Sequence, residues 1–297
     1  MKIDLFILDY NPLDFEEANK ALRETVLAFQ ERHSKNIEYN VTIIDQCSTD
    51  KHSDFIEELR RSLSCSRIRL NKSLGISRAM NMIANISRTK YFALLTSDVI
   101  MTTGCDDDMV AKLDQSDDLV SICPMANYSW SPHLQRKAIG SSFGEDDVTF
   151  IDQGGGLIRT MCTELTFNFF RRSAFDKIGY FDERWKAGYE NGDWGTRAFL
   201  AGLTTGISLD SFIWHYLSMA HKSLGTLKTY DGYINMGTEH THVPLRKMWD
   251  EKWPHYTDHF PIWDCVILNG LTVERCPEML RAFKHNIYLP FIQEVGY

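Results

Sequence analysis

The segment YFALLTSDV, residues 91–99, decides the fold class of this chain. Its first five residues are apolar or aromatic, which predicts a short buried strand. The strand pattern ends in three polar residues, Thr96, Ser97 and Asp98. In open α/β sheets, ligands bind beyond the carboxyl ends of the strands, where such side chains lie. The segment therefore predicts a strand of an α/β sheet with a binding site at its end.

The sequence before this strand alternates between strand and helix patterns. Strands are expected at 3–8, 41–44 and 67–70, and helices at 15–29, 56–63 and 74–84. The expected helices repeat their apolar residues every three or four positions, as a helix with one buried face does. Strands and helices that alternate in this way form right-handed βαβ units around a parallel sheet.

The second half of the chain has a less regular pattern. A strand is expected at 167–171, followed by a short helix that Ser173 caps. A longer helix is expected to begin at about Trp194 and to stop at Gly202. Three consecutive aspartates at 106–108 are expected to form a solvated acidic turn. The C-terminal quarter is rich in His, Trp and Tyr and gives no clear pattern of elements.

The composition excludes several classes of protein. The chain has 297 residues, of which 43% are hydrophobic and 24% charged, so it can bury a sizeable core and is not fibrous or disordered. Its 40 acidic residues outnumber its 32 Lys and Arg residues, which gives a net charge of −8. An acidic balance disfavours a non-specific nucleic-acid binder, because that function needs a basic surface.

The cysteines and the N-terminal sequence predict a cytoplasmic location. The seven cysteines include no CxxC pair, which is typical of free thiols in a reducing compartment. No apolar run approaches the roughly 18 residues that a membrane span needs. The N-terminal segment lacks the basic region and the small-residue cleavage site of a signal peptide.

Two further polar clusters follow predicted strands. Asp9, Tyr10 and Asn11 come after the first strand, and residues 45–50 come after the second. The carboxyl ends of parallel strands meet at one edge of a sheet, so both clusters are expected to converge with Asp98 on one crevice. Asp, Ser and Asn also favour turns, and the alternative is that these residues only shape the loops.

Four segments of the chain share their order and spacing with a known family. They are the first strand with its Tyr10-Asn11 end, IIDQCSTD at 43–50, NKSLGISRAMN at 71–81 followed by YFALLTSDV at 91–99, and FFRRSAFDKIGYFDERWKAGYENGDWGTRAFLAG at 169–202. In this order they resemble the GT-A-fold nucleotide-sugar glycosyltransferases, in particular glycosyltransferase family 2. The resemblance implies a Rossmann-like α/β fold, with a mixed, mostly parallel sheet flanked by helices.

The resemblance also implies a division of the chain. A GT-A domain would cover residues 1–220, with a nucleotide-binding half at about 1–105 and an acceptor half at about 106–220. Residues 221–297 would form a helical or irregular C-terminal extension on the acceptor side.

The donor site follows from the same resemblance. Asp45 would accept a hydrogen bond from the imide N–H of uracil, which favours a UDP-sugar because only a base with a donor there satisfies the carboxylate. The other expected nucleotide-sugar contacts are Asp9, Tyr10, Asn11, Ser48, Asp50, Arg78, Asn81, Ser97 and Asp98.

A divalent cation, Mn²⁺ or Mg²⁺, is the implied cofactor. Family members usually have Asp-x-Asp at the end of the fourth strand, whereas this sequence has Thr96-Ser97-Asp98 and retains the last acid only. One carboxylate together with the diphosphate oxygens can hold such a cation, since both supply hard oxygen ligands. His215 is expected to be the second protein ligand.

The acidic motif of the family, Glu-Asp-x-Asp, matches Glu190 and Asp193, with Asn191 at its second position. In inverting members an acid of this motif takes the proton from the acceptor hydroxyl. We expect Asp193 to be this base and Glu190 to anchor the motif, unless both only favour the start of a helix. Weaker acceptor-side candidates are Gly155, Gly156, Trp185 and Trp194.

The leading hypothesis is a metal-dependent glycosyltransferase that moves a sugar from a UDP-sugar to a hydroxyl acceptor with inversion. Three alternatives remain open. The chain could be a retaining GT-A transferase, a transferase acting on a modified nucleic-acid base, or a degenerate module that binds nucleotide or glycan without turnover. Fold alone does not decide among them.

Overall fold

The structure of the protein, a computed structural model, describes residues 1–127, 138–139, 143–146, 149–150, 156–185, 188–216 and 239–254. The strands are β1 (Lys2–Asp9), β2 (Glu38–Asp45), β3 (Ser66–Arg69), β4 (Tyr91–Thr96), β5 (Val99–Met101), β6 (Leu119–Ala126), β7 (Ala138–Ile139), β8 (Thr149–Phe150), β9 (Leu157–Thr160), β10 (Phe167–Arg171) and β11 (Thr204–His215). The helices are α1 (Glu16–Arg32), α2 (Asp50–Leu63), α3 (Gly75–Ile86), α4 (Cys105–Gln115), α5 (Ala174–Ile178), α6 (Glu190–Leu200) and α7 (Glu239–Lys252).

Nine strands form one mixed sheet in the order β3-β2-β1-β4-β10-β6-β11-β5, with β9 paired to β11. The strands β1 to β4 are parallel, and β6 and β11 run in the same direction. The strands β10, β5 and β9 run the opposite way. The predicted α/β class with a mostly parallel sheet is confirmed.

The two faces of the sheet are covered by different helices because successive strand residues point to opposite sides. Ile3, Leu5 and Ile7 of β1 pack in one buried cluster with α1, α2 and α4. Phe6 and Leu8 of the same strand pack in a second cluster with α3, α5 and α6. Burial of both faces explains why the strands are nearly continuous apolar runs.

The register of the strands brings the polar clusters to one edge. Asp9 of β1 lies opposite Asp45 of β2, and Leu8 lies opposite Thr96 of β4. The helix α6 precedes β11, which is parallel to β1, so its N-terminus lies at this same carboxyl edge.

Three local predictions need correction. The helix α6 begins at Glu190, four residues before the predicted start, so the acidic motif forms its first turn. Ser173 does precede α5, but its side chain makes no capping hydrogen bond. The aspartates 106–108 form the first turn of α4 rather than a solvated turn. Asp106 is fully buried, and its Oδ2 accepts hydrogen bonds from Ser34 N (2.8 Å) and Tyr39 Oη (2.9 Å) that offset part of the cost of burial.

No helix in the described ranges is both long and apolar enough to cross a membrane. The five cysteines found in those ranges form no disulfide.

Candidate functional site

Asp98 and His215 meet at the carboxyl edge of the sheet. Asp98 follows β4, and His215 is the last residue of β11, where it lies opposite Val99 of β5. Their side chains are almost buried, and His215 Nε2 lies 3.4 Å from Asp98 Oδ2. The other carboxylate oxygen, Oδ1, accepts a hydrogen bond from Thr96 Oγ1 at 2.8 Å. The two residues that the sequence predicts as metal ligands are thus adjacent.

This pair offers one carboxylate oxygen and one imidazole nitrogen to a cation. Within the described parts of the chain, no group of three or more His, Cys, Asp or Glu side chains could hold a metal ion. Two protein ligands can be enough for Mn²⁺ or Mg²⁺ where phosphate oxygens and water complete the coordination. The carboxylate and the phosphates are hard oxygen ligands, and the imidazole nitrogen is a softer ligand that suits Mn²⁺ better than Mg²⁺. The donor set therefore suits a cation that binds together with a diphosphate.

The loop after β1 is held by buried hydrogen bonds. Asp9 Oδ2 lies 2.5 Å from His52 Nε2 of α2, and both side chains are buried. Asp9 Oδ1 is also buried and has no hydrogen-bond partner among the described residues. Asn11 N donates to Ser48 Oγ at 2.8 Å. The side-chain amide of Asn11 donates through Nδ2 to Phe15 O and accepts at Oδ1 from Phe15 N. Asn11 and Ser48 therefore fix the two loops to each other.

Asp45 is fully buried and already has two partners. Its Oδ1 accepts from Ser48 N at 2.9 Å, and its Oδ2 accepts from the Arg67 guanidinium at 3.1 Å. Arg69 Nε lies 3.7 Å from the same oxygen, and Arg69 also pairs with the exposed Asp50 at 2.7 Å. Arg69 rather than Asp45 thus forms the exposed surface at this point of the edge.

Arg78 and Asn81 lie on α3 and contact the segment before Trp185. Arg78 Nε pairs with Glu183 at 3.1 Å. Asn81 is buried, donates to Phe181 O at 2.9 Å and accepts from Phe181 N at 2.8 Å. Asn81 therefore fixes this segment, whereas Arg78 is partly exposed. Ser97 N donates to Leu8 O at 3.2 Å.

Glu190 is the first residue of α6 and is nearly buried. Its Oε2 has no hydrogen-bond partner among the described residues. The pKa of Glu190 is raised to about 7, chiefly by burial and also by the negative charge of Glu164, while the backbone N–H groups of Glu190 and Gly188 oppose the shift. A carboxylate with this pKa is well suited to accept a proton near neutral pH.

Asp193 has a different environment. It is fully buried, its Oδ2 pairs with Arg197 at 3.0 Å, and its Oδ1 lies 2.6 Å from Lys252 Nζ. The same Oδ1 accepts from Trp253 Nε1 at 3.0 Å. Both carboxylate oxygens of Asp193 are thus engaged by two cations and an indole N–H, so the geometry does not favour it as a proton acceptor.

A short loop, residues 161–166, contacts both the Asp98 end of β4 and the start of α6, where Glu190 lies. Thr96 N donates to Thr166 O at 2.8 Å, next to the Asp98 end of β4. At the other side, Asn191 Nδ2 donates to Thr163 O at 3.0 Å. A Cβ atom on Gly195 would lie 1.8 Å from Met161 O, so α6 packs directly on the backbone of this loop. Asn191, the residue that departs from the family's acidic motif, thus holds this loop through its side-chain amide.

The acceptor-side candidates lie in different surroundings. Gly155 is outside the described residues. Gly156 has φ +101°, and its N donates to Asp210 Oδ2 at 2.7 Å beside the middle of β11. Trp194 is buried in the core, where its ring stacks on the Phe181 ring with 5.5 Å between centroids. Trp185 is also fully buried, against Tyr189.

Sequence reasoning missed several residues at this edge. Three of them, His52, Arg67 and Glu164, each contact or act on a predicted residue but match no motif. A buried His or Lys has no sequence signal of its own.

A comparison of the sequence with known protein families decides the family. The model described as glycosyl transferase family 2 matches residues 15–179, more than half of the chain. The chain belongs to glycosyl transferase family 2. No curated protein matches this family 2 chain in sequence.

Solved structures share the fold of this family 2 chain. GalNAc-T7, in a structure with UDP, GalNAc and Mn²⁺, has a TM-score of 0.62 at 12% identity, over 97% of this chain and 56% of that one. S. aureus TarS 1–349 has a TM-score of 0.55 at 16% identity, over 96% and 71%. S. aureus TarS has a TM-score of 0.50 at 18% identity, over 75% and 38%. The predicted GT-A fold is confirmed, and the chain spans little more than half of GalNAc-T7 and about two fifths of the longer TarS chain.

Proposed function

We propose that the chain is a metal-dependent glycosyltransferase that moves a sugar from a UDP-sugar to a hydroxyl group. The observation that supports this most is the adjacent pair of Asp98 and His215, 3.4 Å apart at the carboxyl edge of the sheet. Family 2 membership and the UDP and Mn²⁺ bound by the similar GalNAc-T7 agree with it. A bound cation neutralises the charge that develops on the leaving UDP.

The donor half, about 1–105, holds the nucleotide in this proposal, and the acceptor half, about 106–220, supplies His215 and Glu190. Glu190 takes the proton of the acceptor hydroxyl while that oxygen forms its bond to the anomeric carbon. The bond from this carbon to the diphosphate oxygen breaks, and UDP leaves with the electron pair. A single displacement of this kind inverts the anomeric configuration.

We assign the base to Glu190 rather than Asp193. The Glu190 carboxylate is buried with one unpartnered oxygen and a pKa of about 7, whereas Asp193 is neutralised by Arg197 and Lys252. Asn191 then needs no catalytic role, since its amide anchors the 161–166 loop.

The first experiment measures thermal stability against a panel of nucleoside diphosphates and nucleotide-sugars, with Mn²⁺ or with EDTA. A ligand at 100 times its Kd adds about 2.7 kcal/mol to the stability. We expect a shift with UDP that EDTA and Asp98→Ala both remove. Stability that no nucleotide raises would contradict the donor site and favour the degenerate module.

Turnover is the second experiment. Release of UDP from a UDP-sugar, followed with the wild type and Glu190→Gln, separates a transferase from a binding module. We expect the variant to retain the UDP shift and to lose turnover. NMR of the product distinguishes inversion from retention at the anomeric carbon.

A further inference from the structure

A buried ion cluster joins α7 to α6. Lys252 Nζ, at the end of α7, lies 2.8 Å from Asp182 Oδ2 and 2.6 Å from Asp193 Oδ1. The Lys252 side chain is only 3% exposed, and both carboxylates are fully buried. Breaking such a buried ion pair is strongly destabilising, because the group that remains is a buried charge without its partner.

Neither acid depends on Lys252 alone for its charge balance. Asp193 also pairs with Arg197 at 3.0 Å, and Asp182 pairs with Arg184 at 2.5 Å. Burial alone would raise the pKa of Asp182, but the hydrogen bonds from Arg184 and the charge of Lys252 lower it to about 2. What Lys252 alone provides is an ionic link between α7 and the two acids.

The same helix packs on the residues that flank Glu190. The Trp249 ring lies 5.3 Å from the Tyr189 ring and 6.1 Å from the Trp185 ring, between centroids. A Cβ atom on Gly192 would lie 3.4 Å from the Trp249 ring. Trp249 thus contacts the residue before Glu190 and the residue two positions after it, and it is itself 3% exposed.

We propose that Lys252 is a positioning residue that holds α7 against the start of α6, so that Trp249 covers the residues on either side of Glu190 and keeps water from its carboxyl group. The proposal rests on the proposed role of Glu190 as the base. The charged groups near Glu190 are Glu164 on the 161–166 loop and the ion cluster of Asp182, Arg184, Asp193, Arg197 and Lys252. When Lys252 is replaced, Asp193 keeps Arg197 and Asp182 keeps Arg184, so each acid retains one cation, and the main expected change at Glu190 is the entry of water.

The test compares Lys252→Met with Lys247→Met in the full chain. Lys247 lies on the same helix but is 78% exposed. We expect Lys252→Met to lower kcat tenfold or more, with the KM for the UDP-sugar within twofold of wild type. Entry of water should also move the acid limb of the kcat profile from near pH 7 toward the ordinary range of a glutamate. Lys247→Met should change none of these.

A purely structural role predicts a different result. Lys252→Met would then lower the melting temperature while kcat per folded molecule and the pH profile stayed unchanged, which would overturn the proposal. If Lys252→Met does not fold, Trp249→Ala removes the ring and leaves the ion cluster in place. The same shift of the acid limb is expected for it, and an unchanged limb would again contradict the proposal.

Hydrogen exchange gives a readout that needs no turnover. We expect Lys252→Met to increase amide exchange in residues 245–252 and 189–193 together, and Lys247→Met to increase neither. Faster exchange in 245–252 alone would show that α7 does not cover the start of α6. If the wild type transfers no sugar, the exchange result still tests the packing, so failure of this inference is distinct from failure of the proposed function.

Discussion

His215 Nε2 lies 3.4 Å from Asp98 Oδ2, although one residue ends β11 and the other follows β4. The contact exists because β5, which begins at Val99, turns back to pair antiparallel with β11. A carboxylate and an imidazole in this position can bind one cation between them and the diphosphate of a nucleotide.

Replacing His215 with Ala is expected to weaken Mn²⁺ binding in the presence of UDP by tenfold or more, because the cation loses one of two protein ligands. Mn²⁺ affinity measured by electron paramagnetic resonance tests this. The control is His33→Ala, a histidine at the C-terminus of α1 whose Nδ1 contacts Phe29 O at 2.8 Å. Equal Mn²⁺ affinity in both variants would remove His215 from the site.

Glu190→Gln is expected to lower kcat by about 10² to 10⁴, the usual contribution of a general base. In the wild type, kcat/KM should rise with pH up to about 7 and level off above it, because the carboxyl must lose its proton to act. A pH profile with a UDP-sugar measures both. Activity that is independent of pH between 5 and 8 would contradict Glu190 as the base.

The stability of the fold should also depend on Glu190. Its pKa is about 7 in the folded chain and about 4.5 as the ordinary value, so between these values the folded state holds a proton that the unfolded state has lost. Stability therefore falls as the pH rises through this window, by on the order of 3 kcal/mol at most. Urea unfolding at pH 5 and pH 8 should show this loss in the wild type and a smaller one in Glu190→Gln. Equal losses would mean that other groups cause the pH dependence.

Gly195→Ala should destabilise the fold by about 3 kcal/mol or more, since its Cβ would lie 1.8 Å from the backbone oxygen of Met161. Neither backbone can move without displacing the loop that links Asp98 to Glu190. Gly192→Ala, on the same helix, is the matched control, because its Cβ meets only the edge of the Trp249 ring at 3.4 Å. Chemical denaturation of both variants measures the difference, and similar stabilities would show that the loop yields easily.

The sequence was most informative where local pattern and burial agree. The strand at residues 91–96 and the helix at 75–86 lie within a few residues of their predicted bounds, because an apolar run or a helical period directly reflects which faces are buried. The predicted start of α6 lies four residues after the observed one, because the helix begins after Tyr189 in a left-handed conformation, with φ +68°, that the residue type does not predict.

The sequence by itself determined the fold class, the family and the edge of the sheet at which polar residues gather, since these follow from periodicity and from motif order along the chain. Only the tertiary structure decided which side chains are available for chemistry. Asp193 and Glu190 lie three residues apart on one helix turn, yet one is neutralised by Arg197 and Lys252 while the other is buried with an unpartnered oxygen. The physical reason is that charge balance and hydration depend on groups brought in from distant parts of the chain, which no local pattern encodes.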